Sequence, residues 1–167
     1  MSRDHYDAIV LGAGAAGLMC AAVAGQRGRR ILLVDHADEP GRKILISGGG
    51  RCNFTNLHTA PDRYLSANPH FAKSALGRYT AADFIALVDR HGIAWHEKTL
   101  GQLFCDGSAK QIVAMLLDEA AAGRVDLSLG HPITDIAHAD GYRIRIGNRV
   151  VTAPALVLAT GGPAIPK

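Results

Sequence analysis

Three glycines and one acid are the first residues whose types and spacing could do chemistry. Gly12-x-Gly14-x-x-Gly17 follows the apolar run Ala8-Ile9-Val10-Leu11 and opens an Ala-rich stretch. Asp35 stands about twenty residues further on, at the end of a second apolar run, Ile31-Leu32-Leu33-Val34. Each residue type has a physical task in such a pattern. Gly12 permits a tight turn off a strand, Gly14 leaves room for a pyrophosphate to reach the backbone, and Gly17 lets a helix pack close to the strand. The start of that helix, at Ala15 and Ala16, offers free N–H groups and a positive dipole end to phosphates. The Asp35 carboxylate can accept hydrogen bonds from both ribose hydroxyls of an adenosine, and its charge disfavours an added 2′-phosphate. NAD and FAD present the same ADP to this unit, so the motif alone leaves the two open. The bland alternative is a Gly-rich turn beside a solvated acid. It has to account for strand, spaced glycines, helix, strand and acid all coinciding.

A second stretch is more unusual: Gly41-Arg42-Lys43-Ile44-Leu45-Ile46-Ser47-Gly48-Gly49-Gly50-Arg51-Cys52-Asn53-Phe54-Thr55-Asn56. It combines a triple-glycine turn, the cations Arg42, Lys43 and Arg51, and the small polar groups of Ser47, Asn53, Thr55 and Asn56. That chemistry suits a pyrophosphate and a polar ring edge approached by backbone. A flexible basic surface loop is the competing reading.

The elements that must position these residues can be read from periodicity. Ala8 to Leu11 and Ile31 to Val34 read as buried parallel strands. Between them Ala15 to Ala24 reads as a helix with Leu18, Met19, Ala22 and Val23 on one stripe, closed by Gly25 and Gly28. This is a βαβ unit with a right-handed crossover. Pro40 to Asn56 reads as a Gly- and Arg-rich loop. Thr80 with Asp83, and Ser108 with Gln111, resemble capping boxes that open two further helices, the second stopped by Gly123. Trp95 to Phe104 reads as short extended pieces. Val125 to Leu129, Ile133 to Ala137, Tyr142 to Ile146, Val150-Val151 and Leu156 to Ala159 read as strands, with turns at Asp140-Gly141 and Gly147-Asn148. The fold class expected is α/β: a Rossmann-like βαβ with a parallel sheet plus a small antiparallel β-meander.

Composition bounds the function. The 167 residues are 48% hydrophobic and 20% charged, a globular composition that excludes disorder and, without a glycine period, collagen. At roughly 150 residues per domain this corresponds to about one domain. A net charge of +3 is too small to argue for nucleic acid, so no nucleic-acid partner is expected. Three Cys without a CxxC pair argue against a disulfide framework or zinc ribbon. The first apolar run is too short for a signal peptide or membrane span, so no membrane partner and a cytoplasmic location are expected. The eight His show no metal-ligand spacing, and no metal is expected. Arg27, Arg29 and Arg30 read as a solvated helix end, and Trp95 and the four Tyr show no stacking pattern for single strands.

Taken together, the fingerprint, the acid and the GRK–SGGGRCN–TN loop resemble the N-terminal signature of the BaiN/YhiN-like bacterial flavoproteins, a family of NAD(P)/FAD-dependent oxidoreductases. Gly101 to Lys110 is similar to a family stretch that more often has Pro after the Phe, so Cys105 departs from it. Ala159-Thr160-Gly161-Gly162 resembles the strand-loop shared by many flavoproteins with two dinucleotide sites. The resemblance runs from Tyr6 to Pro166. It implies FAD as cofactor, with NAD(P)H a candidate electron donor. Gly12, Gly14, Ala15, Ala16 and Gly17 would hold the pyrophosphate, and Asp35 with His36 the adenosine ribose. Arg42, Lys43, Ser47, Gly48, Gly49, Gly50, Arg51, Cys52 and Asn53 would run along the pyrophosphate and ribityl chain. Ile133 would meet the adenine through its backbone, and Ala159, Thr160 and Gly161 would approach from the far side. It further implies that residues 1–167 are the N-terminal part of an FAD/NAD(P)-binding domain, truncated before the rest of that domain and an inserted substrate domain. Such a segment is expected to bind FAD weakly and not to turn over on its own. No side chain stands out as acid or base, and Cys52, despite Arg51 beside it, reads as structural rather than redox-active. The expected function is a flavin-dependent oxidoreductase acting on a small molecule by hydride or electron transfer. An NAD-dependent dehydrogenase, which would place a third parallel strand soon after Asp35, and a non-catalytic nucleotide-binding module are the alternatives.

Overall fold

A computed structural model describes residues 4–162. In chain order its first half contains β1 (Ala8–Leu11), α1 (Ala15–Gln26), β2 (Ile31–Val34), α2 (Arg42–Ile46), β3 (Asn53–Asn56), α3 (Lys73–Arg78) and α4 (Ala81–Arg90). Its second half contains β4 (Trp95–Glu97), β5 (Gln102–Cys105), α5 (Ala109–Ala122), β6 (Asp126–Ser128), β7 (Ile133–His138), β8 (Tyr142–Ile146), β9 (Arg149–Ala153) and β10 (Ala155–Leu158). The chain divides into two compact units. One is formed by the chain up to Lys43 together with the chain from Leu116 onward, the other by Ile44–Met115. The resemblance over residues 163–166 lies outside the described residues.

In the first unit a parallel four-stranded sheet runs in the order β10-β1-β2-β6. The two central strands are apolar because both faces are covered: Ile9, Val10, Leu11 and all of β2 are buried. No strand pairs beside β2 until β6, after residues 36–125 have intervened, which removes the arrangement the dehydrogenase alternative required. An antiparallel sheet, β7-β8-β9, is the expected meander. Its Ile144, Ile146, Val151 and Ala153 join Tyr6, Ile9, Leu11, Leu32 and Val34 in one core cluster.

Helix α1 corrects one expectation. Its buried face is Gly17, Leu18, Ala21, Ala22 and Gly25, while Val23 is exposed. The cause is close backbone packing. A Cβ on Gly25 would lie 2.5 Å from the Gly123 carbonyl oxygen, so the helix buries its smallest residues where α5 ends. Gln26 Nε2 adds hydrogen bonds to the Glu119 carbonyl and carboxylate at 2.9 and 2.8 Å.

In the second unit, β3-β5-β4 form an antiparallel sheet, with Phe54 of β3 against Phe84 of α4 and Trp95 of β4. The Thr80–Asp83 capping box is complete. At Ser108, Gln111 Oε1 accepts the Ser108 N–H, whereas Ser108 Oγ accepts from Lys110, one residue earlier than a full box requires. The stretch Pro40 to Asn56 is not the loop expected. Arg42 to Ile46 is helical, with Ile44 buried, and Asn53 to Asn56 is a strand paired with β5. The glycines end that helix rather than prevent it, since Gly48 and Gly49 take φ of +58° and +67° directly after it.

Because Ile144 is fully buried where the meander joins the core, Ile144→Ala should lower the unfolding free energy by about 2–5 kcal/mol. Urea unfolding followed by far-UV circular dichroism measures it. A loss below about 1 kcal/mol would show that the meander is not part of the cooperative core.

Candidate functional site

The site of the first unit forms where β1 turns into α1. The parallel ladder continues past the strands, with Gly12 N–H donating to the Val34 carbonyl at 2.7 Å and Ala159 N–H to the Leu11 carbonyl at 2.8 Å. Gly12 has φ of +107°, and a Cβ there would lie 2.4 Å from the Ala159 carbonyl oxygen and 2.9 Å from Thr160 Cα. A Cβ on Gly17 would lie 1.8 Å from the Gly12 carbonyl oxygen. The chain's own backbone therefore requires glycine at both positions. Gly14 is different. Its φ of −83° is ordinary for any residue, and no protein atom lies within 4 Å of where its Cβ would be. Nothing in the protein demands glycine there, while a pyrophosphate approaching the backbone would. Gly14 is also the N-cap of α1 and supplies no side-chain oxygen, so the first N–H groups of the helix are left uncapped at an end with no acid in its first turn. This is the donor set a phosphate fits.

Asp35 closes the turn from the other side. Its Oδ2 accepts the Ala13 N–H at 2.7 Å and its Oδ1 the Ala37 N–H at 2.9 Å, with the side chain 17% exposed. Each oxygen keeps further lone-pair capacity for a ribose hydroxyl. The exposed His36 ring lies with Nδ1 3.3 Å from the same Oδ1. Alongside runs the chain after β6: Asp35 N–H donates to the Ser128 carbonyl and Gly130 N–H to the Ala37 carbonyl, both at 3.0 Å. Ile133 begins β7 just beyond, half-buried against the core cluster. On the opposite flank Gly41 N–H donates to the Ala13 carbonyl at 2.8 Å, and Lys43 Nζ to the Gly162 carbonyl at 2.6 Å. The fold thus gathers Gly12 to Gly17, Asp35, Lys43 and Ala159 to Gly161 around one helix N-terminus. Arg42 is exposed.

Ser47 to Asn53 belong to the second unit and form a tight structure of their own. A Cβ on Gly48 would lie 2.6 Å from the Phe104 ring. Ser47 Oγ donates to the Ile44 carbonyl at 2.9 Å, Cys52 N–H to the Ser47 carbonyl at 3.1 Å, and Cys105 N–H to the Arg51 carbonyl at 3.0 Å. Gly49 and Gly50 also have positive φ, and no protein atom lies within 4 Å of a Cβ on Gly49. Cys52 is buried, and that burial pushes its thiol up, with a hydrogen bond to Ser47 in partial opposition. The Cys105 thiol is pushed up to about 11, by burial first and then by Cys52 and Asp106 nearby. Neither is built as a thiolate.

One chemically able pair escaped the sequence reading. His96 Nδ1 lies 2.6 Å from Asp106 Oδ1, and Arg51 Nη1 donates to the Asp106 carbonyl at 3.2 Å. The carboxylate orients the imidazole, which stacks near Phe104 at a centroid distance of 6.2 Å. No sequence signal pairs His96 with Asp106: Trp95 to Phe104 reads only as short extended pieces, and the pairing of β4 with β5, His96 opposite Phe104, brings them together. Among the described residues no group of three potential ligands could hold a metal, and no helix is long and apolar enough to cross a membrane.

A parallel sheet, a glycine turn opened onto a helix N-terminus and an acid at the next strand's end define a dinucleotide-binding protein of the Rossmann type. The chain matches the HI0933-like protein Rossmann domain over residues 6–167 and belongs to that family. It is 57% identical over 164 residues to the ribosomal RNA dihydrouridine synthase of Escherichia coli (strain K12), covering 98% of this chain and 41% of that protein. It is 45% identical over 168 residues to the enzyme of the same name from Haemophilus influenzae, covering 98% of this chain and 42% of the relative. The chain therefore spans about two fifths of these relatives. A solved halogenase, PltM in complex with phloroglucinol and FAD, shares the fold with a TM-score of 0.55 at 20% identity, over 92% of this chain and 34% of its own.

Two measurements follow from this geometry. Gly17→Ala should collapse the turn and lower the melting temperature of the apoprotein by several degrees, whereas Gly14→Ala should leave it within a degree or two and reduce FAD binding at least tenfold in a fluorescence titration. Equal melting losses in both would remove the argument for Gly14. For the thiols, a raised value leaves only about one Cys105 in a thousand ionised at pH 8, and alkylation requires the thiolate. Cys52 and Cys105 should stay unlabelled by iodoacetamide in the folded protein at pH 8 and label in denaturant, with native labelling rising only as pH climbs towards their shifted values. Rapid native labelling at pH 8 would show that they are not buried.

Proposed function

We propose that this chain is the FAD-binding N-terminal part of a cytoplasmic flavoenzyme that reduces uridine to dihydrouridine in ribosomal RNA, with NAD(P)H as electron donor. The observation that carries the reading is the 57% identity to the Escherichia coli enzyme of that name across 98% of this chain. The uncapped N-terminus of α1, the unconstrained Gly14 and the position of Asp35 support a bound ADP moiety. FAD, when bound, supplies hydride transfer. The protein's own part is to hold the pyrophosphate on the N–H groups of Ala15, Ala16 and Gly17, and the ribose on Asp35. The Asp35 negative charge, half-buried and held by the Ala13 and Ala37 N–H groups, disfavours a 2′-phosphate at this site.

The reading departs from two sequence expectations, a small-molecule substrate and the absence of nucleic acid. The absence of nucleic acid rests on a net charge of +3, which limits non-specific attraction and says little about one specific RNA site, and no residue specifies a small-molecule substrate. The family match supports the HI0933-like Rossmann domain; within the BaiN/YhiN-like resemblance, the identities to the two ribosomal RNA dihydrouridine synthases favour the YhiN-like side.

The full-length gene should restore dihydrouridine to ribosomal RNA in a strain lacking its own synthase, read by mass spectrometry of nuclease digests, and Gly14→Ala in that gene should abolish the restoration. A purified yellow protein that oxidises NAD(P)H but leaves ribosomal RNA unchanged would sink the RNA substrate and keep the flavin. A colourless protein that FAD does not reconstitute would sink both.

A further inference from the structure

The second unit carries a cleft that the dinucleotide reading does not use. A cavity of about 520 Å³ is lined by Asn56, His58, Thr59, Arg63, Tyr64 and Leu100. Its rim holds an outlier. Leu100 has φ of +54°, in the left-handed region, and the residue is 84% exposed. The turn that carries it is fixed from several sides. Asn56 Nδ2 donates to the Leu100 carbonyl at 2.9 Å, and Leu57 N–H to the Gly101 carbonyl at 2.8 Å. Gly101 N–H donates to Glu97 Oε1 at 3.1 Å, and Gln102 N–H to the Thr99 carbonyl at 3.1 Å. The His58 ring closes the remaining space, 2.7 Å from where a Cβ on Gly101 would be. A strained backbone persists only where its surroundings over-determine it, and such places concentrate at ligand sites. Here the strain displays a large apolar side chain outward, where it adds nothing to a core.

The groups beside Leu100 say what it is displayed for. Tyr64 is 47% exposed, and Arg63 is held only by a loose, exposed pairing with Asp62 at 3.8 Å, a contact that exchanges easily. Among the described residues the exposed large aromatic side chains are Tyr64, Phe71 and Tyr79, and all three lie in residues 57–79. That segment also carries Arg63, Lys73 and Arg78 against the single acid Asp62. Of these, Arg63 and Tyr64 line the cleft itself; a cation beside an exposed aromatic face is the pairing that single-stranded nucleic-acid sites use, bases stacking on the ring and a phosphate meeting the cation. No stacking pattern is visible in the sequence because Leu100 and Tyr64 come to one cleft through the fold, not through spacing.

We propose that this cleft binds a nucleotide of single-stranded RNA, with the base against Tyr64 and Leu100 and a phosphate at Arg63. The proposal rests on the reading that the substrate is ribosomal RNA and adds where the enzyme grips it. The test uses the full-length, FAD-loaded enzyme and a fluorescein-labelled, uridine-containing RNA oligonucleotide, with binding read by anisotropy. Tyr64→Ala and Leu100→Gly should each weaken binding roughly tenfold. Arg63→Gln should flatten the dependence of log affinity on log salt by about one phosphate contact. Leu100→Gly guards against misfolding, because glycine suits φ of +54°. An unchanged flavin spectrum reports an intact first unit. Wild-type affinity and salt slope in all three variants would overturn the cleft while leaving the RNA reading standing. A wild-type enzyme that does not bind the oligonucleotide would overturn both. Should uridine monophosphate bind the cleft as tightly as the oligonucleotide, and the variants weaken only that binding, the cleft would be a free-nucleotide site and the RNA proposal would fall.

Discussion

Gly17 faces Gly12 across a gap that no side chain can enter, a would-be Cβ falling 1.8 Å from the Gly12 carbonyl oxygen. This contact fixes how closely α1 lies on the turn after β1. It also decides where the helix N-terminus stands relative to the ends of β2 and β10, because Gly12 is hydrogen-bonded to Val34 and covered by Ala159 and Thr160. The far end of the helix is held the same way, by backbone contact between Gly25 and Gly123. A helix seated at both ends by glycines cannot rotate or slide without a clash. Its dipole and its uncapped N–H groups are therefore delivered to a fixed point before any ligand arrives.

Asp35 acts within that frame in two ways that pull on the same atoms. Its carboxylate accepts the Ala13 and Ala37 N–H groups, which ties the glycine turn to the end of β2. Those oxygens are also the ones a ribose would use. The arrangement works because a carboxylate has roughly four acceptor directions and the backbone takes only two. An amide at this position would lose one of its acceptor oxygens to an N–H₂ group, and with it one of the two ties. The acid is therefore part of the turn's construction as well as of its recognition.

How much of this could be read in advance follows from the range of the interactions involved. β1, α1 and β2 were legible because adjacent residues decide them: apolar runs of strand length, glycines at fixed offsets and an acid at a strand end. The meander was legible for the same reason, from alternation and the Asp140-Gly141 and Gly147-Asn148 turns. The buried stripe of α1 differs from the periodic one, since the rule that large apolar residues face inward fails where the partner is another backbone. The Pro40 to Asn56 stretch reads as a loop because glycine density resembles looseness. In the fold Gly48 packs against the Phe104 ring and Ile44 is buried, so composition concealed a helix whose anchor lies far away in sequence. His96 and Asp106, and Leu100 beside Tyr64, depend on strand pairing and turn geometry that no local spacing encodes.

That division has a chemical logic. Binding of a diphosphate asks for backbone N–H groups at close range, and backbone geometry is what short sequence patterns specify. Proton transfer and base recognition ask for side chains from separate strands to converge within hydrogen-bonding or stacking distance, which only tertiary structure delivers. His96 illustrates it: an imidazole alone on a strand is an ordinary surface residue, and the Asp106 carboxylate 2.6 Å away orients its ring and presents the opposite nitrogen. Arg51, from the glycine-rich segment, donates to the carbonyl of the same Asp106, so the segment that resembles a cofactor loop is tied to the chain just after β5. Within this unit the motif that sequence makes conspicuous and a side-chain pair that sequence hides meet at one aspartate.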